Sequence, residues 1–156
     1  MKRKNRKERC PVQHIERSVL QAIAWHCRRE LPREGCGVLL GSSQTHSANP
    51  AVITAWTPIA NRAINPLASF RFDEAEWIAA LYAAERDSLS VLGLFHSHPQ
   101  TEAYPSEDDI TGTAWDRMSY WIISYAPPYS PDSPNVRAYW LNSATNRIVP
   151  CPYKLF

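Results

Sequence analysis

A chain of 156 residues, 44% hydrophobic and 21% charged, can bury about two-thirds of its unfolded surface in a single core, so one domain is expected and no disulfide staple is needed. No apolar run approaches the roughly 20 residues of a membrane span, and no apolar stretch follows the basic start, so a soluble protein without a secretory leader is expected. The net charge of +2 is unevenly spread: Lys and Arg crowd residues 1–9, while the remainder is slightly acidic.

A basic cluster gains affinity for phosphate by releasing counterions. Here no aromatic residues are interleaved with it, and short charged termini are usually solvated. Residues 1–11 are therefore read as a disordered head, residues 12–156 as the folded domain, and nucleic acid is not expected as a partner. The cysteines Cys10, Cys27, Cys36 and Cys151 are dispersed, with no C-x-x-C pair, and are expected to be reduced thiols in the cytoplasm.

From Ile15, the apolar positions Ile15, Val19, Ala22, Ile23 and Cys27 recur at helical spacing until Pro32 ends the run. His14, His26 and His46 are read as surface or packing residues. Residues 32–41 read as a strand entered from a turn and closed by Gly41. Glu34 lies at its mouth, where a carboxylate is ordinarily a solvated edge charge, and its chemistry alone leaves a catalytic role open. Residues 51–56 form a second strand, and a connection over residues 61–72 leads to Asp73-x-x-Glu76, a capping box that starts a helix with Trp77, Ala80, Leu81 and Ala84 as its buried stripe.

Residues 89–98 form an apolar run with little alternation, as expected of a central strand buried on both faces. It ends in His96-Ser97-His98-Pro99. A strand alternates its faces with period two, so both imidazoles point the same way, and Pro99 ends the strand. Ser106-x-x-Asp109 follows. It is a helix start, with residues 110–118 as the helix, and it can bring the Asp109 carboxylate back to the histidines. Two imidazoles and one carboxylate suit Zn²⁺, and three protein ligands leave a position open for water, as in catalytic sites. A strand over residues 120–125, a proline-rich loop over 126–134, and a hairpin pairing 135–141 with 147–153 complete the chain.

Two rival metal chemistries lack parts. Glu102 makes a partial cupin pattern, but no histidine follows His98. A deaminase needs H-x-E and P-C-x-x-C, and Cys151-Pro152 has no second cysteine.

Taken together, Glu34, His96-Ser97-His98-Pro99 and Ser106-x-x-Asp109, with ten residues between His98 and Asp109, resemble the full signature of the JAMM/MPN+ zinc metalloproteases. The segment around Glu34-x-Cys36-Gly37 and the 61–72 connection are similar to small prokaryotic members that process ubiquitin-like sulfur carriers. The resemblance implies an α/β fold, a mixed β-sheet flanked by helices like that of cytidine deaminase. It implies Zn²⁺ on His96, His98 and Asp109, a zinc-bound water activated by Glu34, and Ser106 steadying the oxyanion. It further implies hydrolysis of the amide bond after the C-terminal Gly-Gly of a ubiquitin-like (β-grasp) carrier or its conjugate, whose extended tail would lie along a sheet edge. Related non-catalytic MPN scaffolds and DNA-repair-associated JAMM relatives are the alternatives.

Overall fold

The computed structural model describes residues 10–42, 51–111, 118–142 and 147–156. Residues 1–9 of the head expected over 1–11, His46 and most of the helix expected over 110–118 lie outside the described residues.

Among the described residues, eight strands form one mixed sheet: β1 (Gln13–Ile15), β2 (Cys36–Gly41), β3 (Val52–Ile59), β4 (Ser90–His98), β5 (Ser119–Ser124), β6 (Asn135–Asn142), β7 (Arg147–Cys151) and β8 (Tyr153–Leu155). Their spatial order is β7-β6-β5-β4-β2-β3-β1-β8. The described residues also form the helices α1 (Arg17–Glu30), α2 (Glu74–Arg86) and the short α3 (Glu107–Thr111). The expected mixed sheet with flanking helices is thus observed.

Side-chain alternation on the central strands divides the core in two. Leu39, Phe95, Trp121 and Ile123 pack with Val19, Ile23 and Cys27 of α1. Their neighbours Val38, Leu40, Leu94, Tyr120 and Ile122 pack with Ala80 and Ala84 of α2 on the other face. Each large aliphatic side chain buried in this way contributes about 1.5–3 kcal/mol. Because β4 is covered on both faces and hydrogen-bonded to β2 and β5, its apolar run needs no alternation.

Several expectations shift. Ile15 belongs to β1, paired with both β3 and β8, and α1 begins at Arg17; the helical period continued by chance across the strand–helix junction. β2 starts at Cys36 rather than at Pro32, so Glu34 precedes the ladder, and β3 runs on to Ile59. On α2, Leu81 is 40% exposed, because the small residues Ala80 and Ala84 set the line of contact with the sheet. Asp73 caps α2 by accepting from the Glu76 amide at 3.0 Å. The Glu76 carboxylate, however, accepts from the amide of Ala60 at 2.6 Å instead of returning to the cap.

The expected closing hairpin is divided. β7 pairs with β6, but Tyr153 lies in β8, which pairs with β1 at the opposite end of the strand order. Only Pro152 separates the two strands, so the sheet must curl until its edges meet there, wrapping its concave face around α1. The Tyr153 ring rests against Trp121 at 4.9 Å, and a disulfide joins Cys10 to Cys151 at the same corner. Four free thiols were expected; Cys27 and Cys36 are free and buried, while Cys10 and Cys151 are brought together by the curl. Among the described residues, no helix is long and apolar enough to cross a membrane.

Candidate metal centre

The last turn of the β4 pleat places His96 and His98 on the α2 face, and both are buried. Pro99 ends the strand, and the chain returns so that α3 presents Asp109 to them. The His96 Nε2 and His98 Nε2 atoms are 3.0 Å apart, and the Asp109 Oδ2 atom lies 3.2 Å and 3.3 Å from them respectively. Ligand atoms from all three residues therefore converge on one point.

The surroundings orient each ligand. His98 Nδ1–H donates to the Glu102 carbonyl at 2.7 Å, which leaves the Nε2 lone pair directed at the cluster. Glu102 thus serves through its backbone, unlike the ligand of a cupin pattern. The His96 ring stacks on Phe70, with centroids 4.5 Å apart and planes inclined by 23°. The Ser106 amide donates to Asp109 Oδ2 at 2.8 Å, and the Asp109 amide donates to Ser106 Oγ at 3.1 Å. This reciprocal pair both caps α3 and fixes the carboxylate. The Ser106 hydroxyl proton is not used in that pair, and the residue is exposed.

Electrostatics follow from the packing. Burial lowers the His96 pKa against the pull of Asp109. Burial acts the same way on His98, but hydrogen bonds to Asp109 and to the Glu102 carbonyl outweigh it and raise its pKa. For Asp109, burial is overcome by the two imidazoles and the Ser106 amide, which hold the carboxyl far below the usual range. A buried carboxylate and two imidazole nitrogens facing one another are a donor set that a divalent cation satisfies, and Zn²⁺ fits it in ligand type and number.

Glu34 is not a solvated edge charge. It is 4% exposed, and its Oε2 is buried with no hydrogen-bond partner. Burial first, with the Asp109 charge adding and His98 opposing, pushes its carboxyl up to about 7. Its backbone is what is held. The Glu34 amide donates to the Pro66 carbonyl at 2.7 Å, and the Glu34 carbonyl accepts from Asn61 Nδ2 at 3.0 Å. Next to it, the Gly35 amide donates to Ser97 Oγ and the Ser97 amide to the Gly35 carbonyl, both at 2.9 Å. A Cβ on Gly35 would lie 3.1 Å from the Cys27 Cα, so only glycine lets this segment sit against α1 without displacement.

Sequence reasoning passed over Ser97, Asn61 and Phe70. The period-two rule that paired the histidines also puts Ser97 on the opposite face; nothing local marks Asn61 as buried. Trp77, expected to be core alone, is half-buried and lines a cavity of about 530 Å³ with Phe70, Phe72, Leu94 and Tyr120 that reaches Asp109. β4 is paired with β2 and β5 and offers no free edge to an extended ligand.

His14 and His26 stand outside the cluster: His14 packs on Phe156, and His26 packs on Trp56 and Phe95.

The profile of prokaryotic homologues of the JAB domain matches residues 16–142. A probable TtuB-protein conjugate cleaving protease of Thermus thermophilus is 33% identical over 112 residues, 72% of this chain and 70% of that protein. A desampylase of Haloferax volcanii is 33% identical over 60% of this chain and 63% of its own length. A CysO-cysteine peptidase of Mycobacterium tuberculosis is 29% identical over 74% and 75%. Among solved structures, a protein of Desulfitobacterium hafniense matches with a TM-score of 0.78 at 26% identity, covering 93% of both chains. A JAB1/MPN domain protein of Archaeoglobus fulgidus shares the fold with a TM-score of 0.55 at 19% identity, covering 93% of this chain and all of that one. On the extent of the profile match and the identity to these relatives, this chain belongs to the prokaryotic JAB-domain family.

Proposed function

We propose that this protein is a Zn²⁺-dependent peptidase or isopeptidase that hydrolyses the amide bond after the C-terminal Gly-Gly of a ubiquitin-like carrier protein or its conjugate. The observation that carries this reading is the convergence of His96, His98 and Asp109 beside a buried carboxylate, Glu34, whose Oε2 has no partner. The names of the relatives, which speak of conjugate cleavage and of a CysO-cysteine peptidase, support the substrate class.

His96, His98 and Asp109 would hold Zn²⁺, which would supply a Lewis acid and lower the pKa of water to about 7. Glu34 accepts the proton of the attacking water and returns it to the leaving amine. For both transfers its carboxylate must be basic enough to take the proton from water, and its conjugate acid acidic enough to release it to the amine. Ser106 retains a hydroxyl proton to donate to the oxyanion of the tetrahedral intermediate, while its oxygen keeps Asp109 in place. The aromatic walls of the 530 Å³ cleft receive the carrier's tail, whose glycines allow close approach to Phe70 and His96.

The test is a carrier of this type bearing a short extension after Gly-Gly, followed by intact mass. The expected result is trimming to the second glycine, abolished by chelator and restored by Zn²⁺. Failure to process both this fusion and a lysine-linked conjugate would overturn the reading in favour of a non-catalytic scaffold.

A further inference from the structure

The Glu34 carboxylate is buried, yet its Oε2 has no hydrogen bond. Its position therefore has to come from the backbone that carries it. Two groups meet that backbone from the 61–72 connection: the Pro66 carbonyl and the Asn61 side chain.

Asn61 is 7% exposed, and its amide is used in full. Nδ2 donates to the Glu34 carbonyl at 3.0 Å and to the Ser69 carbonyl at 2.9 Å. Oδ1 accepts from the amides of Ala63 at 2.9 Å and Arg71 at 3.1 Å. With carbonyls on one side and amides on the other, only one orientation of the side-chain amide satisfies all four. Every partner is backbone, so this side chain fixes chain path. On one side it holds the segment that carries Glu34. On the other it holds the loop that carries Phe70, stacked on His96, and Arg71 and Phe72, which line the large cleft. The Arg33 guanidinium donates to the Asn61 carbonyl at 3.0 Å and closes the same junction.

We propose that Asn61 is a positioning residue for the reaction: its Nδ2 arm sets the Glu34 carboxylate against the metal site, and its Oδ1 arm sets the wall of the substrate cleft. This rests on the reading of Glu34 as the base.

The two arms can be separated. Asn61→Asp keeps an oxygen for Ala63 and Arg71 but sets an oxygen against the carbonyls of Glu34 and Ser69. Asn61→Ala removes both arms. A displacement of about 1 Å in a reacting group can cost about 100-fold. On the Gly-Gly extension substrate, Asn61→Asp is accordingly expected to lower kcat about 10- to 100-fold with KM within about twofold. Asn61→Ala should lower kcat and also raise KM. Unchanged kcat in Asn61→Asp, or KM rising equally in both variants, overturns the proposal.

A substrate-free arm uses Co²⁺ alone. At one Co²⁺ per chain, the visible spectrum of Asn61→Asp should depart from wild type in the same direction as that of Glu34→Ala. A spectrum identical to wild type overturns the proposal, and so does loss of the metal. If the wild type cleaves nothing, the functional reading falls, while the Co²⁺ comparison still decides whether Asn61 acts through Glu34. Should Asn61→Asp melt below the assay temperature, Asn61→Ser takes its place with the same expected fall in kcat and the same spectral shift.

Discussion

The proposed metal ligands and Glu34 share one site but are placed by different means. His96, His98 and Asp109 touch one another through side chains, and two of them are oriented by a neighbour close in sequence, Glu102 for His98 and Ser106 for Asp109, while His96 stacks on Phe70. Glu34 is placed through its backbone, by Asn61, Pro66 and Ser97, which lie 27 to 63 residues away in the chain. The ligand cluster is thus a local construction on one strand end and one helix start. The position of Glu34 is a property of the whole upper edge of the sheet. Damage to the first should remove the metal; damage to the second should leave the metal and remove the chemistry.

The substitution with the largest expected effect is Asp109→Ala. It deletes a ligand and leaves two imidazoles, so metal per chain should fall from about one to near zero and turnover should be undetectable, as read by metal analysis and intact mass. Retention of full metal content would break the distinction between the two regions. Next is Glu34→Ala, expected to keep the metal and lose about 10²- to 10⁴-fold in kcat, the usual range for a general base.

Ser106→Ala touches both regions at once. Loss of one oxyanion donor should cost about 10²- to 10³-fold in kcat, and loss of the cap on α3 about 1 kcal/mol of stability. A drop in stability without a drop in kcat would leave Ser106 as a cap only.

The smallest effect concerns pH in chelator-stripped protein. Glu34 holds its proton more tightly folded, at about 7, than at its ordinary value of 4.5. Its contribution to stability is therefore fully present below 4.5 and is lost as pH rises through about 7. Melting temperatures of wild type and Glu34→Gln measured across that window should diverge, with the steeper decline in the wild type, since His98, whose pKa is also raised, contributes to both.

What was legible in the sequence follows the same division. Period two along β4 predicted that His96 and His98 share a face, and the S-x-x-D spacing predicted that Asp109 returns to them, because both depend on geometry within a few residues. The central placement of β4 could also be read from its unbroken apolar run. The burial of Glu34 could not: alone at a strand mouth it looks solvated, and only the resemblance to a known family singled it out. Asn61 gave no signal, since its four partners are brought together only when the 61–72 connection folds on itself and meets the segment before β2. The division of β7 and β8 between opposite edges was equally hidden. Pro152 looks like any break in a strand, and the curl that brings both edges to it depends on the wrapping of the sheet around α1.

The central claim is that the ligands hold the metal while Glu34 moves the proton. It is tested most directly by the intact mass of a carrier with a Gly-Gly extension after incubation with Glu34→Ala protein carrying one Zn²⁺ per chain, beside wild type at the same loading. Trimming by the wild type alone is the predicted result; equal trimming by both would contradict it.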